Sequence, residues 1–201
     1  MTTFRTITSG LVLTIAVAGA WQAGGAPHRN TAHGTAATRA EVSVSSDPTV
    51  TVAGGDADDH RRLEEALERF RAAGLDLPDL DARFLDDPDG CRGHYGLFLP
   101  TVMPWRVLIC TDLEFVPTHE LAHAWEAAHL DENDRSRYVE LRGLSNWNDA
   151  RVPWVERGME DAAFVIHKNL TTVGGNLEST TWQERIAAYE FLTGRPSPLS
   201  G

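Results

Sequence analysis

The chain has 201 residues, enough for one domain with a real apolar core. Its apolar and charged fractions are those of an ordinary globular protein rather than of a disordered or fibrous one. The formal net charge is −11 and no cluster of Lys and Arg stands out, which argues against a nucleic-acid-binding surface.

The first residues read as an export signal. Arg5 gives a short positive region, and the apolar run Leu11 to Ala20 follows it. Ala18-Gly19-Ala20 fits the small-x-small rule for signal peptidase, and Gly24-Gly25-Ala26 offers a second cut. The run is short beside the roughly 20 apolar residues of a membrane span. A cleaved signal peptide over 1–20 and a secreted product are expected; an uncleaved anchor is the alternative, and only then would the chain meet a membrane. Residues 21–55 are rich in Gly, Ala, Thr and Ser without apolar period, and are expected as a flexible linker. The folded domain is then expected over 56–196, with 197–201 as a tail.

"DDHRRLEEALERFRAAGLDLP" opens that domain as a helix. Leu63, Ala66, Leu67 and Phe70 recur at helical spacing, and Gly74 stops it. "LDARFLD", "GLFLP" and "RVLICT" are strand-length and bounded by Asp, Pro or Gly. The last two, joined by "TVMPW", suit antiparallel neighbours, so a small antiparallel sheet is expected before the next helix. Cys91 and Cys110 flank this hairpin, and an even cysteine count in an exported domain predicts a disulfide between them. "FVPTHELAHAWEAAHL" is a helix with Leu121, Ala122 and Trp125 on its apolar back. "ELRGLSNWNDARVPW" reads as irregular. A helix is expected from about Pro153 through "PWVERGMEDAAFVIHKNL", then a loop, then a last helix ended by Gly194. The fold class is therefore α+β.

His119 and His123 are four apart and share one helix face, one turn above each other. Two imidazoles so placed can reach one ion, while Glu120, about 100° round the axis, reaches water beside it. This is the H-E-x-x-H arrangement, and zinc suits two such nitrogens, a further protein ligand and an open position. Glu120 is then the general base of the reaction.

Three residues compete for the remaining ligand position. His129 has the outer spacing of the metzincin motif, but Glu126 stands where that motif has a chain-turning glycine. Nothing in "HAWEAAH" breaks the helix, so His129 lies about 240° round from His123 and points away from the ion. Glu156 and Glu160 are the other two, expected on one face of the later helix. For stabilising charge on an attacked carbonyl, Tyr138, His129, His167 and Arg157 stand equal.

The stretches "CRGHYGLF", "VLIC", "THELAHAWEAAHL", "LRGLSNWND", "PWVERGMEDAAFVI" and "LTG" resemble a group of exported actinobacterial zincin-like proteins. Through them the chain resembles the glutamate zincins over about residues 56 to 196. The resemblance implies a zincin-like core and Zn2+ held by His119, His123 and Glu160. Glu160 matches the ligand glutamate of the Glu-x-x-Ala helix. It further implies Glu120 as catalytic base and a peptide or protein as substrate, making the chain an exported zinc metalloendopeptidase. The chain departs from thermolysin-type enzymes, because its second helix carries no N-E-x-x-x-D. A zincin-like module that binds metal or a partner without hydrolysis is the alternative function.

Overall fold

The computed structural model describes residues 48–171 and 181–200, all within the compact unit Val44–Gly201. The signal peptide and most of the expected linker lie outside the described residues. Among these residues there are four strands and five α-helices: β1 (Val50–Ala53), α1 (Ala57–Ala72), β2 (Leu80–Phe84), β3 (Gly96–Leu99), β4 (Trp105–Ile109), α2 (Val116–His129), α3 (Glu132–Arg142), α4 (Gly158–Leu170) and α5 (Trp182–Thr193). The protein is α+β, as its sequence predicts.

The expected strands all form, but the sheet is mixed rather than antiparallel. Its order is β1-β2-β4-β3. β1 pairs with β2 in parallel, and β2 pairs with β4 in parallel, Leu80 opposite Trp105. Only β3 runs antiparallel, against β4, as the hairpin reading requires. Helix α1 supplies the crossover between β1 and β2, which parallel neighbours need.

β1 also corrects the expected domain boundary. It lies inside the expected linker, so the folded part includes Val50 to Ala53 and does not begin at Asp56. Its side chains are mostly exposed, which hides it from an apolar-pattern reading. At the other end, the expected tail is docked: Ser197 is buried and its hydroxyl donates to Asn169 Oδ1 at 2.6 Å.

Local signals set the helix ends. Asp56 caps α1 by accepting from the N–H groups of Asp58 and Asp59, and Gly74 follows its end at φ +67°. Asp131 and Thr181 form capping boxes on α3 and α5. α3 carries no apolar stripe by which its sequence would announce a helix, since only Tyr138 is buried along it. The helix expected from Pro153 is also corrected. A 3-10 turn covers Trp154–Glu156, Arg157 is extended, and α4 starts at Gly158. A Cβ on Gly158 would meet Val139 Cγ2 at 2.9 Å and Asn146 O at 3.1 Å, so the start of α4 sits tight on its neighbours.

α2 is the centre of the fold. It packs on β3 and β4, on α1, and along α4. Every residue from Val116 to Glu126 is buried, polar ones included. Leu121, Ala122 and Trp125 belong to the apolar core with Phe70, Leu80, Ile109 and Ile166. The Cys91–Cys110 disulfide forms, closing the base of the β3–β4 hairpin.

Candidate metal centre

The uninterrupted helix α2 puts the rings of His119 and His123 against each other, centroids 4.8 Å apart. α4 brings Glu160 to them from across the interface. Glu160 Oε2 lies 3.3 Å from His119 Nε2 and 3.3 Å from His123 Nε2. All three residues are buried, at 5–6% exposure, and their ligand atoms lie within 4.8 Å of one another. Bonds of about 2.0–2.1 Å put neighbouring donors about 3.3–3.4 Å apart round a tetrahedral ion, so two of the three separations have the length a small cation needs. Glu160 Oε2 approaches both nitrogens without hydrogen-bond geometry to either. The residues present therefore fit a metal ion.

The charge of the site points the same way. Three buried carboxylates, Glu120, Glu126 and Glu160, surround two imidazoles. Burial pushes Glu120 up to about 7, against the opposing pull of His123 and of the Phe98 backbone N–H. Burial raises Glu126 to about 7 as well, against the pull of His123. Burial also acts to raise Glu160, but the two imidazoles outweigh it and hold the carboxyl down at about 2. His119 is lowered by burial. Burial would lower His123 too, yet Glu126 and Glu160 together raise it well above the usual range. A buried carboxylate cluster of this kind is stabilised by a cation.

Each competing ligand candidate lies elsewhere. His129 ends α2, stacks on Trp125 with centroids 4.9 Å apart, and donates from Nε2 to Asp76 O at 2.6 Å. Glu156 is exposed in the 3-10 turn before α4 and does not share a helix face with Glu160. Arg157, extended between the two, separates them.

The four candidates for carbonyl stabilisation also part company. Tyr138 is buried and donates to Asp161 Oδ2 at 2.6 Å, so its hydroxyl is committed to packing α3 on α4. Arg142 joins the same carboxylate at 2.8 and 3.1 Å. His167 is buried and stacked on Phe115, and His129 faces away. Arg157 lines the cleft that holds the metal candidates, its Nε donating to Val152 O at 3.1 Å.

That cleft, about 810 Å³, runs between the outer strand β3 and the start of α4. β3 comes close to Glu120. A Cβ on Gly96 would lie 2.5 Å from Glu120 Oε1 and 2.7 Å from its Cδ. With any side chain at this position, either the strand or the Glu120 carboxylate would have to shift. Sequence reasoning missed Gly96, whose signal was no more than a glycine opening a strand. It also missed Glu126, whose signal was an acid three residues beyond a ligand histidine on an unbroken helix. No family model, no curated protein and no solved structure matches the chain.

Proposed function

We propose that the chain is a zinc-dependent peptide hydrolase with a zincin-like core and a glutamate in the third ligand position. One observation carries this reading: His119, His123 and Glu160 converge across two helices while Glu120, buried beside them, is raised to about 7. A donor set of two imidazoles and one carboxylate suits zinc with an open position. Bound there, zinc supplies Lewis acidity, which polarises a carbonyl and lowers the pKa of water.

The remaining roles belong to the chain itself. Glu120 takes a proton from the attacking water on its carboxylate and returns it to the leaving amine. A base poised near neutrality suits both halves of that exchange. The free edge of β3 borders the cleft and offers backbone pairing to an extended peptide. Of the four candidates for stabilising charge on the carbonyl oxygen, Arg157 lines the cleft, which Arg135 lines as well, and we assign Arg157 that role. The disulfide agrees with an exported, oxidised protein.

The test is cleavage of a peptide library by zinc-loaded protein, with Glu120→Gln as control. The parent is expected to cleave, and Glu120→Gln to keep its zinc while losing about 10²- to 10⁴-fold in rate. Equal cleavage by the variant would remove Glu120 from the mechanism. A zinc-loaded parent that cleaves nothing would overturn hydrolysis and leave a metal- or partner-binding module.

A further inference from the structure

We infer that Glu126 is a positioning residue that fixes the imidazole of His123, with Nδ1 turned to its carboxylate and Nε2 turned to the metal position. The inference rests on the metal-binding half of the proposed function and not on hydrolysis.

Residues three apart on a helix lie on one face, so Glu126 sits one turn beyond His123 on the side of its ring. Glu126 Oε2 is 3.6 Å from His123 Nδ1, an ion contact just outside hydrogen-bond length. His123 Nδ1 has no hydrogen-bond partner elsewhere among the described residues. On the far side of the ring, Nε2 faces Glu160 Oε2 at 3.3 Å. The ring is thus held between two carboxylates, one at each nitrogen. A proton kept at Nδ1 by Glu126 leaves the Nε2 lone pair for an ion.

Glu126 has little else to do. It is 3% exposed, so its carboxylate is withdrawn from water at a cost that needs a partner. Among the described residues its one ion pair is with His123. Arg135, on α3, helps to hold the carboxylate's charge from a distance while its guanidinium lies over Trp147. Oε1 of Glu126 has no hydrogen-bond partner among the described residues. A carboxylate placed only for packing would be worse than an apolar residue at this position.

The two ligand histidines are held by different means. His119 is packed among rings, Phe164 at 4.7 Å and Trp154 and His167 at 6.3 Å, and its Nδ1 has no hydrogen-bond partner among the described residues. Among the described residues, His123 has no comparable aromatic wall apart from His119 itself. Nor can α4 supply the orienting carboxylate, since Asp161, next to Glu160, is taken up by Tyr138 and Arg142. Glu126 fills that role from within α2.

The experiment compares the parent with Glu126→Gln and Glu126→Met, using zinc alone as the probe, by competition with a chelator and by nitrogen-15 NMR of the histidine rings. Zinc affinity is expected to fall about 10- to 100-fold in Glu126→Met, and less in Glu126→Gln, whose amide oxygen still accepts from Nδ1. In the parent, His123 is expected to bind zinc through Nε2 with a slowly exchanging Nδ1 proton. That proton should exchange faster in Glu126→Met, while the His119 signals stay in place. A folded Glu126→Met with affinity within about twofold of the parent and an unchanged Nδ1 signal would overturn the inference. Zinc bound through Nδ1 in the parent would overturn it too, whether or not the variants fold. If the parent binds no zinc, the metal reading falls, and the metal-free spectra still decide the role of Glu126. Loss of the protected Nδ1 proton in Glu126→Met, with more of the protection kept in Glu126→Gln, supports it, and its absence from the parent overturns it.

Discussion

Glu160 Oε2 stands between two imidazole nitrogens, and no residue on the other candidate positions does. Glu160→Ala is therefore expected to lose tight zinc binding, while His129→Ala and Glu156→Ala retain it. Zinc stoichiometry after dialysis against a weak chelator measures all three, with circular dichroism to confirm folding. Zinc lost from folded His129→Ala and kept by Glu160→Ala would refute the ligand set. The same residues set a pH dependence. His123 carries a proton above its usual range, because Glu126 and Glu160 hold it there. A ligand nitrogen must shed that proton to bind metal, so zinc binding releases protons and tightens as pH rises from about 6 to about 8. Chelator competition across that range, with calorimetry in buffers of different ionisation heat, reads both effects. Affinity independent of pH would show that no ligand proton is displaced.

At the scale of elements, the site depends on how closely α2 is approached on its two sides. β3 comes within side-chain distance of Glu120 only because Gly96 has no Cβ. Gly96→Ala forces either the strand or the carboxylate to move, at a cost of about 1–3 kcal/mol. His119 and His123, the proposed metal ligands, lie on a different face of α2, and Glu160 lies on α4. The variant is therefore expected to keep zinc, to melt earlier and to lose most of its peptide cleavage. Cleavage at the parental rate would mean that the position of Glu120 does not depend on β3. On the other side, α4 is fixed by Asp161, which accepts from Tyr138 and Arg142 of α3. That buried contact holds the helix one residue away from Glu160, so α3 helps to place that carboxylate.

For the molecule as a whole, the Cys91–Cys110 bond ties the start of β3 to the end of β4 across 19 residues of sequence. Cys110 N donates to Tyr95 O at 2.9 Å, so the crosslink sits where the hairpin enters the site. By loop-closure entropy its reduction should cost about 3 kcal/mol. Denaturant unfolding with and without reductant measures this. Natively secreted protein should show no alkylatable thiol before reduction, and two reactive thiols there would contradict the bond. Among the described residues no helix is long and apolar enough to cross a membrane.

Features governed by neighbours along the chain were open to sequence reading. Four-residue spacing puts His119 and His123 on one face of any unbroken helix, and the absence of a breaker in "HAWEAAH" carries α2 to His129 and turns that residue away. Gly74 and Gly194 mark helix ends through their φ angles, and three strands follow from short apolar runs. Contacts between distant segments were decided only in three dimensions. β1 has too few buried side chains to announce itself, and its pairing comes from backbone hydrogen bonds to β2, which carry no side-chain signature. The parallel β2–β4 register depends on the crossovers, not on either strand alone. Which glutamate faces the two imidazoles was decided at Arg157, whose extended backbone separates the 3-10 turn from α4 and leaves Glu156 in solvent. Glu126 takes its meaning from burial beside His123, because the same residue on an exposed helix face would be an ordinary solvated acid.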